Sequence, residues 1–255
     1  MIRALVFGTL VALGALPSHA NEAIVAGLSQ SRVSITANFE GTEILIYGAI
    51  KREEPIPTRE RLHVIVTVEG PSTPITVRKK ERVAGLWINT DSVKIDRAPS
   101  FYAVATTGPL KSILSETENL RHQITIPRAI RAVGISGQAS DAPGFVDALI
   151  RVREDAKRYR LAERTVQLSE DTLFRTDVVL PANLIEGNYR VRIFLTRGGV
   201  VIDNMERRIN VRKEGMERFL FNLSREEPLI YGLVSLLLAV VAGWGASALF
   251  RLIRQ

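Results

Sequence analysis

A cluster of basic residues followed by a tryptophan is the stretch of this sequence best suited to binding chemistry. Residues Arg78 to Asn89 read Arg-Lys-Lys-Glu-Arg-Val-Ala-Gly-Leu-Trp-Ile-Asn. The side chains of interest are Arg78, Lys79, Lys80, Arg82 and Trp87. They predict a site for an anion or for lipid head groups, because basic residues attract anionic surfaces and tryptophan favours the membrane interface. A second interpretation stays open, in which Trp87 lies in the core and the cations protect a strand edge from aggregation.

Residues that could carry catalysis or hold a metal are scarce. After residue 20 the chain has two histidines, His63 in an expected strand and His122 in an expected loop, and it has no cysteine. The sequence contains no HExxH motif, no Gly-x-Ser-x-Gly elbow, no Walker loop and no GxGxxG motif. We therefore expect no enzyme activity, no metal site and no cofactor.

A long apolar segment near the C-terminus predicts a membrane anchor. Residues 228–250 contain no charged side chain, and about 20 apolar residues suffice for a helix to cross the hydrocarbon core of a bilayer. Within this predicted transmembrane helix, Ala239, Gly243 and Ser247 are spaced four apart and share one face. Small residues at this spacing allow close packing against a second span. They are also common in transmembrane helices generally, so both interpretations of this face stay open.

The N-terminal apolar segment has the features of a signal peptide. Arg3 precedes a short apolar run, and residues 18–20 have the small-x-small pattern of a cleavage site. Residues 1–20 are therefore predicted to be a secretory signal, with an uncleaved anchor as the alternative. The tail, residues 251–255, carries two arginines and no acidic residue. Because Lys and Arg collect on the cytoplasmic side, we expect the tail inside and residues 21–227 outside.

Alternating apolar patterns predict a mainly β protein. Residues 21–110 contain short strand-like runs separated by turn signals, and residues 163–213 contain a second set. Ile44 to Tyr47 form a continuous apolar run, which predicts a strand buried on both faces. Gly198 and Gly199 predict a tight hairpin turn. We expect two immunoglobulin-like or β-sandwich lobes, one in each region.

A helical connector, residues 111–162, is expected between the two lobes. Asp141 is placed to cap a helix that begins near Pro143. Six residues at helical spacing then define the apolar face of that helix. They are Phe145, Ala148, Leu149, Val152, Ala156 and Tyr159. Residues 214–227 form an amphipathic juxtamembrane segment, which lies either in the membrane interface or against the β lobe.

The charge balance favours a membrane surface over nucleic acid as a partner. The chain carries 34 basic and 27 acidic side chains, a formal net charge of +7. Export of the domain argues against nucleic acid, and a mild basic excess suits an anionic bilayer surface. The expected partners are the lipid bilayer and, through the anchor, an integral membrane protein or a second copy of the chain.

Six stretches of the sequence are similar to those of a known protein family. They are Gly41 to Ile50, Arg78 to Asn89, Pro99 to Val104, Leu173 to Ala182, Gly187 to Tyr189 and Lys213 to Phe219. In these stretches the chain resembles the putative transmembrane protein family of alphaproteobacteria. The resemblance implies an inner-membrane protein with a signal peptide, a periplasmic domain and a C-terminal anchor, but no reaction and no site residues. It also implies gene neighbourhoods that contain sulfite-exporter-like permeases.

Topology, a β scaffold and the missing catalytic motifs together favour a binding function. We expect a membrane-anchored, non-enzymatic accessory or interaction protein, with a permease as the candidate partner. The alternative is a periplasmic module that binds a solute or an envelope ligand. A broad exposed apolar patch would favour the first function, and a large apolar pocket with convergent polar groups would favour the second.

Overall fold

The protein folds mainly into β-sheets. The computed structural model describes residues 22–36, 39–52, 60–134, 141–213 and 223–253. About 51% of the described residues lie in strands and 26% in helices, so the mainly β prediction is confirmed. The predicted signal peptide and most of the juxtamembrane segment lie outside the described residues.

Among the described residues, twelve strands form two large sheets and one separate hairpin. The strands are β1 (Ala23–Leu28), β2 (Arg32–Ile35), β3 (Gly41–Lys51), β4 (Leu62–Glu69), β5 (Ser72–Val83), β6 (Leu86–Pro99), β7 (Tyr102–Thr106), β8 (Tyr159–Ala162), β9 (Gln167–Ser169), β10 (Leu173–Pro181), β11 (Gly187–Arg197) and β12 (Val200–Lys213). One sheet has the order β1-β3-β10-β9, the other has the order β2-β12-β11-β4-β7-β8, and β5 pairs with β6. Neighbouring strands are antiparallel, except β2 with β12 and β7 with β8.

Both large sheets draw strands from both ends of the chain. β3 pairs with β10, and β4 pairs with β11 along its whole length. The predicted lobes, residues 21–110 and 163–213, therefore share both sheets of one sandwich and do not form one sandwich each. Local periodicity identifies strands but not their pairing partners. The prediction of two lobes therefore grouped the strands by their order along the chain.

The six-stranded sheet is covered on both of its faces. On one face, Val66 of β4 packs in a cluster with Ile46 and Phe174 of the four-stranded sheet. On the other face, Ile65 of β4 packs with Tyr102 and with the apolar side chains of the helices. The molecule therefore has three layers, which are the four-stranded sheet, the six-stranded sheet, and the helices with the root of the β5–β6 hairpin.

The strand predicted to be buried on both faces is exposed on one. Ile44 and Ile46 are buried, but Tyr47 is 48% exposed, because β3 belongs to the outer layer of the sandwich. β4 instead has both faces buried, as β7 does, since both strands lie in the middle layer. The apolar runs of β3 and β4 both predict a strand. Only the order of the layers shows that one face of β3 is exposed while both faces of β4 are buried.

Among the described residues, four helices lie between β7 and β8, and a fifth follows β12. They are α1 (Leu110–Ile113), α2 (Glu116–His122), α3 (Ile126–Ala129), α4 (Ala142–Asp155) and α5 (Pro228–Ile253). Asp141 caps α4 as predicted, and its carboxylate accepts a hydrogen bond from the Gly144 amide at 3.2 Å. Phe145 and Leu149 are buried, but Val152 is exposed and Tyr159 is buried in β8. The predicted apolar face is correct at Phe145 and Leu149. Val152 is exposed within α4, and Tyr159 lies outside the helix because α4 ends at Asp155.

A buried ion cluster ties the start of β1 to both halves of the sandwich. The Glu22 carboxylate lies 2.6 Å from Nε of Arg52 and 3.0 Å from the Arg197 guanidinium, and the Glu22 side chain is 1% exposed. Arg52 also donates to the Thr172 hydroxyl at 3.2 Å and to the Asp171 carbonyl. The cluster joins the ends of β3 and β11 to the loop before β10.

Replacing Glu22 by Gln should destabilise the domain strongly. The substitution leaves Arg52 and Arg197 together without a counter-charge, and breaking a buried pair in this way costs about 3 kcal/mol. The exposed pair of Glu206 with Arg208, 3.4 Å apart, offers the control, because Glu206→Gln should cost less than about 1 kcal/mol. Urea unfolding measures both. Equal losses for the two variants would show that the buried cluster does not stabilise the sandwich.

Candidate functional site

The β5–β6 hairpin has a buried root and a free far end. At the root, Ile75 and Val77 of β5 and Val93 and Ile95 of β6 pack into the core that the helices cover. Beyond the root, residues 78–92 have no buried side chain. We call residues 78–92 the arm. At about 3.3 Å per residue, the arm extends roughly 20 Å past its root.

The tip of the arm exposes apolar side chains to solvent. Ala84 and Gly85 have φ angles of 50° and 86°, which are the left-handed values that a two-residue hairpin turn requires. The tip residues beside this turn are exposed, and Trp87 is 69% exposed. They are Val83, Leu86, Trp87 and Ile88. The interpretation that placed Trp87 in the core is therefore wrong, because the arm has left the core before the chain reaches this residue.

Three of the four predicted cations share a face of the arm with Trp87. Residues paired directly in an antiparallel hairpin lie on the same face, and Arg82 is paired with Trp87 while Lys80 is paired with Asn89. Strand alternation places Arg78 on this face as well. We call the face that holds Arg78, Lys80, Arg82 and Trp87 the basic face.

Lys79 lies on the opposite face of the arm and has a carboxylate partner. Its Nζ is 2.7 Å from the Glu81 carboxylate. This hydrogen bond raises the pKa of Lys79 and lowers the pKa of Glu81. Within the described ranges, no such ion pair holds the three cations of the basic face. The basic face therefore presents uncompensated positive charge beside an exposed indole.

The outer face of the four-stranded sheet carries a second set of exposed apolar side chains. Val25, Tyr47, Leu173 and Val179 are each 48–59% exposed. The strand register aligns Val25 of β1, Ala49 of β3 and Leu173 of β10 in one row, with Tyr47 in the next row. We call this surface the sheet face. The sequence analysis missed it, because Tyr47 falls in a run that predicts burial on both faces and the other three residues were assigned to no face.

Tyr47 extends the sheet face across a neighbouring strand. Its ring lies over Gly27 of β1, where an added Cβ would come within 3.0 Å of the ring. Arg175 is the register partner of Tyr47 on the other side, and its Nε donates to Gln167 at 2.8 Å. The sheet face thus combines an aromatic and aliphatic surface with polar groups beside it, which is the composition found in protein interfaces.

A cleft of about 760 Å³ lies among the helices and β8. Its walls are largely apolar and include Leu114, Ile126, Ile150 and Leu161. Several charged side chains also line it, namely Lys111, Glu116, Arg128, Glu154 and Glu163. We call it the helical cleft. Its size and its lining are those of a small-molecule site, and nothing in the sequence analysis pointed to it.

The histidines are placed on different elements and have structural partners. His63 lies in β4 as predicted, and its Nδ1 is 3.0 Å from the Thr107 hydroxyl. Burial, with Arg61 nearby, lowers the pKa of His63. His122 is the last residue of α2 and not part of a loop. In the part of the chain that the structure describes, no group of three His, Asp or Glu side chains is arranged to hold a metal.

Arg192 of β11 joins α2 to the six-stranded sheet. Its guanidinium donates to the His122 and Gln123 carbonyls at 2.6 and 3.1 Å and to the Tyr102 hydroxyl at 3.1 Å. A cation in this position stabilises the C-terminus of a helix. Burial raises the pKa of Tyr102 to about 12, so this phenol stays neutral at physiological pH. The network holds the helices on the sheet and presents no poised acid or base.

Helix α5 is long and apolar enough to cross a membrane. Pro228–Ala246 form the candidate span, and all of their side chains are outside the protein core. At 1.5 Å per residue, the 26 residues of α5 extend about 39 Å. Ala239 and Gly243 are exposed on α5, and a Cβ at Gly243 would meet open space. Ser247 lies in the same helix, but its side chain is outside the described part, so the packing face stays a prediction.

The β-rich domain and α5 together match a protein family. The family model described as "Putative transmembrane protein (Alph_Pro_TM)" matches residues 23–252. The chain belongs to this family. The match includes the whole described sandwich and nearly all of α5, so this member of the Alph_Pro_TM family is a membrane protein with one candidate span and a β-rich domain. None of the curated proteins compared with it matches the chain.

Proposed function

We propose that the protein is a single-pass accessory protein without enzyme activity, whose β-rich domain binds a partner protein through the sheet face. The observation that carries this proposal is the row of Val25, Ala49 and Leu173 with Tyr47 beside it. Contiguous apolar surface is uncommon on monomers unless it is used for interaction. A tyrosine beside such a row supplies a large contact area at low cost in conformational entropy.

The proposed setting is the inner membrane, with the domain in the periplasm and the C-terminus in the cytoplasm. Two features of the sequence support this orientation, which are the predicted signal peptide and the arginines Arg251 and Arg254 that follow the candidate span. An integral membrane protein suits this arrangement, because α5 confines both partners to one bilayer and raises their effective concentration. The family resemblance makes a permease the first candidate.

Binding rather than catalysis is also supported by the titratable groups. A general acid or base works best with a pKa near the operating pH. Burial moves the pKa of Tyr102 far above that range, and burial with Arg61 nearby moves the pKa of His63 below its usual value. These shifts hold each side chain neutral in a hydrogen-bonded position.

Charges placed on the sheet face should remove the partner. In full-length protein purified from membranes, the double substitution Val25→Glu and Leu173→Glu should lower partner recovery by at least about tenfold, since two buried charges would cost well over 1.4 kcal/mol of binding energy. Quantitative mass spectrometry of the purified complex measures the recovery. Val133→Glu is the control, because Val133 is 63% exposed and lies outside the sheet face.

Photo-crosslinking from Tyr47 identifies the contact directly. A photoreactive residue at position 47 should form an adduct with the protein that the double substitution releases. Full partner recovery by the double variant, with the adduct absent, would contradict the proposed use of the sheet face. A loss that Val133→Glu reproduces would show only that added charge disturbs the complex.

The helical cleft supports a second candidate function, which is binding of an apolar or amphipathic small molecule. Its volume of about 760 Å³ falls in the range of drug-sized ligand sites. The charged side chains at the cleft, among them Lys111 and Arg128, are placed to orient the polar end of such a ligand. This function is compatible with the sheet face, since the two sites lie on different layers.

A charge placed in the helical cleft should abolish uptake of an apolar probe. We expect saturable binding of a fluorescent fatty-acid analogue, and Leu161→Arg should weaken it at least about tenfold by adding an unpaired charge to an apolar wall. Val152→Arg is the matched control, because Val152 is exposed on α4 and does not line the cleft. Fluorescence titration measures both affinities. Unchanged binding by Leu161→Arg would exclude the cleft as the site.

A further inference from the structure

We propose that the tip of the arm inserts into the anionic surface of the same bilayer that holds α5. The protein would then contact its membrane at two points, the transmembrane anchor and the arm. This goes beyond the proposed partner binding, which uses the sheet face on a different layer of the molecule. Three independent features of the arm support it.

The first feature is the chemistry of the tip. Val83, Leu86, Trp87 and Ile88 surround a two-residue turn and are all exposed. Aliphatic side chains gain free energy by entering the boundary between head groups and acyl chains, and tryptophan favours that depth because its ring is apolar and its N–H is polar. The tip is narrow, so it enters a lipid surface without displacing other parts of the domain.

The second feature is the charge beside the tip. Arg78, Lys80 and Arg82 share the basic face with Trp87 and form no ion pair with a carboxylate among the described residues, whereas Lys79 on the opposite face is paired with Glu81 at 2.7 Å. Long basic side chains next to an inserted tip reach the anionic head groups above it. The three cations without a carboxylate partner lie on the basic face, and the paired Lys79 lies on the other face. The basic face is therefore complementary to an anionic surface.

The third feature is where the arm leaves the sandwich. Val211, near the end of β12, is paired with Gly187. A Cβ added at Gly187 would come within 2.5 Å of Pro71, the residue before β5. The base of the hairpin, where β5 begins, therefore lies beside the strand end from which the chain continues to the anchor.

The short connection to the anchor keeps the arm near its own bilayer. Between Lys213 at the end of β12 and Pro228 at the start of α5 there are 14 residues. Even fully extended, they span no more than about 50 Å. The lipid surface is thus present at a high effective concentration, so weak individual contacts of the arm suffice for insertion.

Trp87 reports directly on its own environment once the second tryptophan is removed. The chain contains two tryptophans, so Trp244→Phe leaves Trp87 as the single emitter in the full-length protein. The protein is reconstituted in nanodiscs of phosphatidylcholine, with or without phosphatidylglycerol, and each lipid set is prepared with and without brominated acyl chains. In discs that contain phosphatidylglycerol, the emission should shift to shorter wavelength and the brominated lipid should quench it.

Two substitutions on opposite faces of the arm test the charge argument. Lys80→Gln removes a cation from the basic face and should lower the bound-to-free ratio of the arm about fivefold. Lys79→Gln removes the same charge from the opposite face and should change that ratio much less, because Lys79 is paired with Glu81. Both positions are exposed strand positions, so both variants should keep the parent fold, which far-ultraviolet circular dichroism checks.

Several outcomes would overturn the proposal. Emission of a fully solvated tryptophan in phosphatidylglycerol discs would show that the tip stays in water. A blue shift without quenching would show that a protein surface covers Trp87. Equal quenching with and without phosphatidylglycerol, or equal effects of the two lysine substitutions, would contradict the role of the basic face. Quenching only by separately added brominated vesicles would contradict insertion into the protein's own bilayer.

Discussion

The pairing of β4 with β11 is the interaction on which the rest of this structure depends. It joins residues more than a hundred positions apart, as the pair of Glu69 with Arg190 shows, and it forms the middle of the six-stranded sheet. Because β4 and the second half of β11 are buried on both faces, they require a layer on each side. The four-stranded sheet provides one layer, and the helices with the root of the hairpin provide the other. The strands of residues 22–110 and those of residues 163–213 are thereby held in one sandwich, and this sandwich determines which surfaces face solvent.

This arrangement determines which surfaces remain free. The four-stranded sheet is an outer layer, so every second residue of β1, β3 and β10 faces outward, and several of these residues are apolar. The hairpin needs only its root to complete the third layer, so its far half extends as the arm. The short helices cover the sheet incompletely and leave the helical cleft. The domain joined to α5 thus presents three different surfaces, for which we propose a protein, a lipid surface and a small molecule as the respective partners.

The sequence predicted the elements better than it predicted their arrangement. Local signals were sufficient for the anchor, for the turn at Gly198 and Gly199, and for the cap of α4 at Asp141. They were not sufficient for strand partners, so one sandwich was predicted as two lobes. Periodicity also cannot distinguish an outer face from an inner one, and Tyr47 was therefore predicted to be buried although it is exposed. The arm was predicted as a binding stretch from its composition, but the division of its cations between two faces required the register.

Hydrogen exchange of the full-length protein under increasing denaturant tests the central claim most directly, because it measures whether the two ends of the chain open together. If one sandwich contains both, backbone amides of β3 and β4 should lose protection with the same free energy of opening and the same denaturant dependence as those of β10 and β11. Amides of the arm should exchange at much lower free energy, since no core covers them. Separate opening of residues 22–110 and 163–213, each with its own denaturant dependence, would contradict the shared sandwich and the surfaces that follow from it.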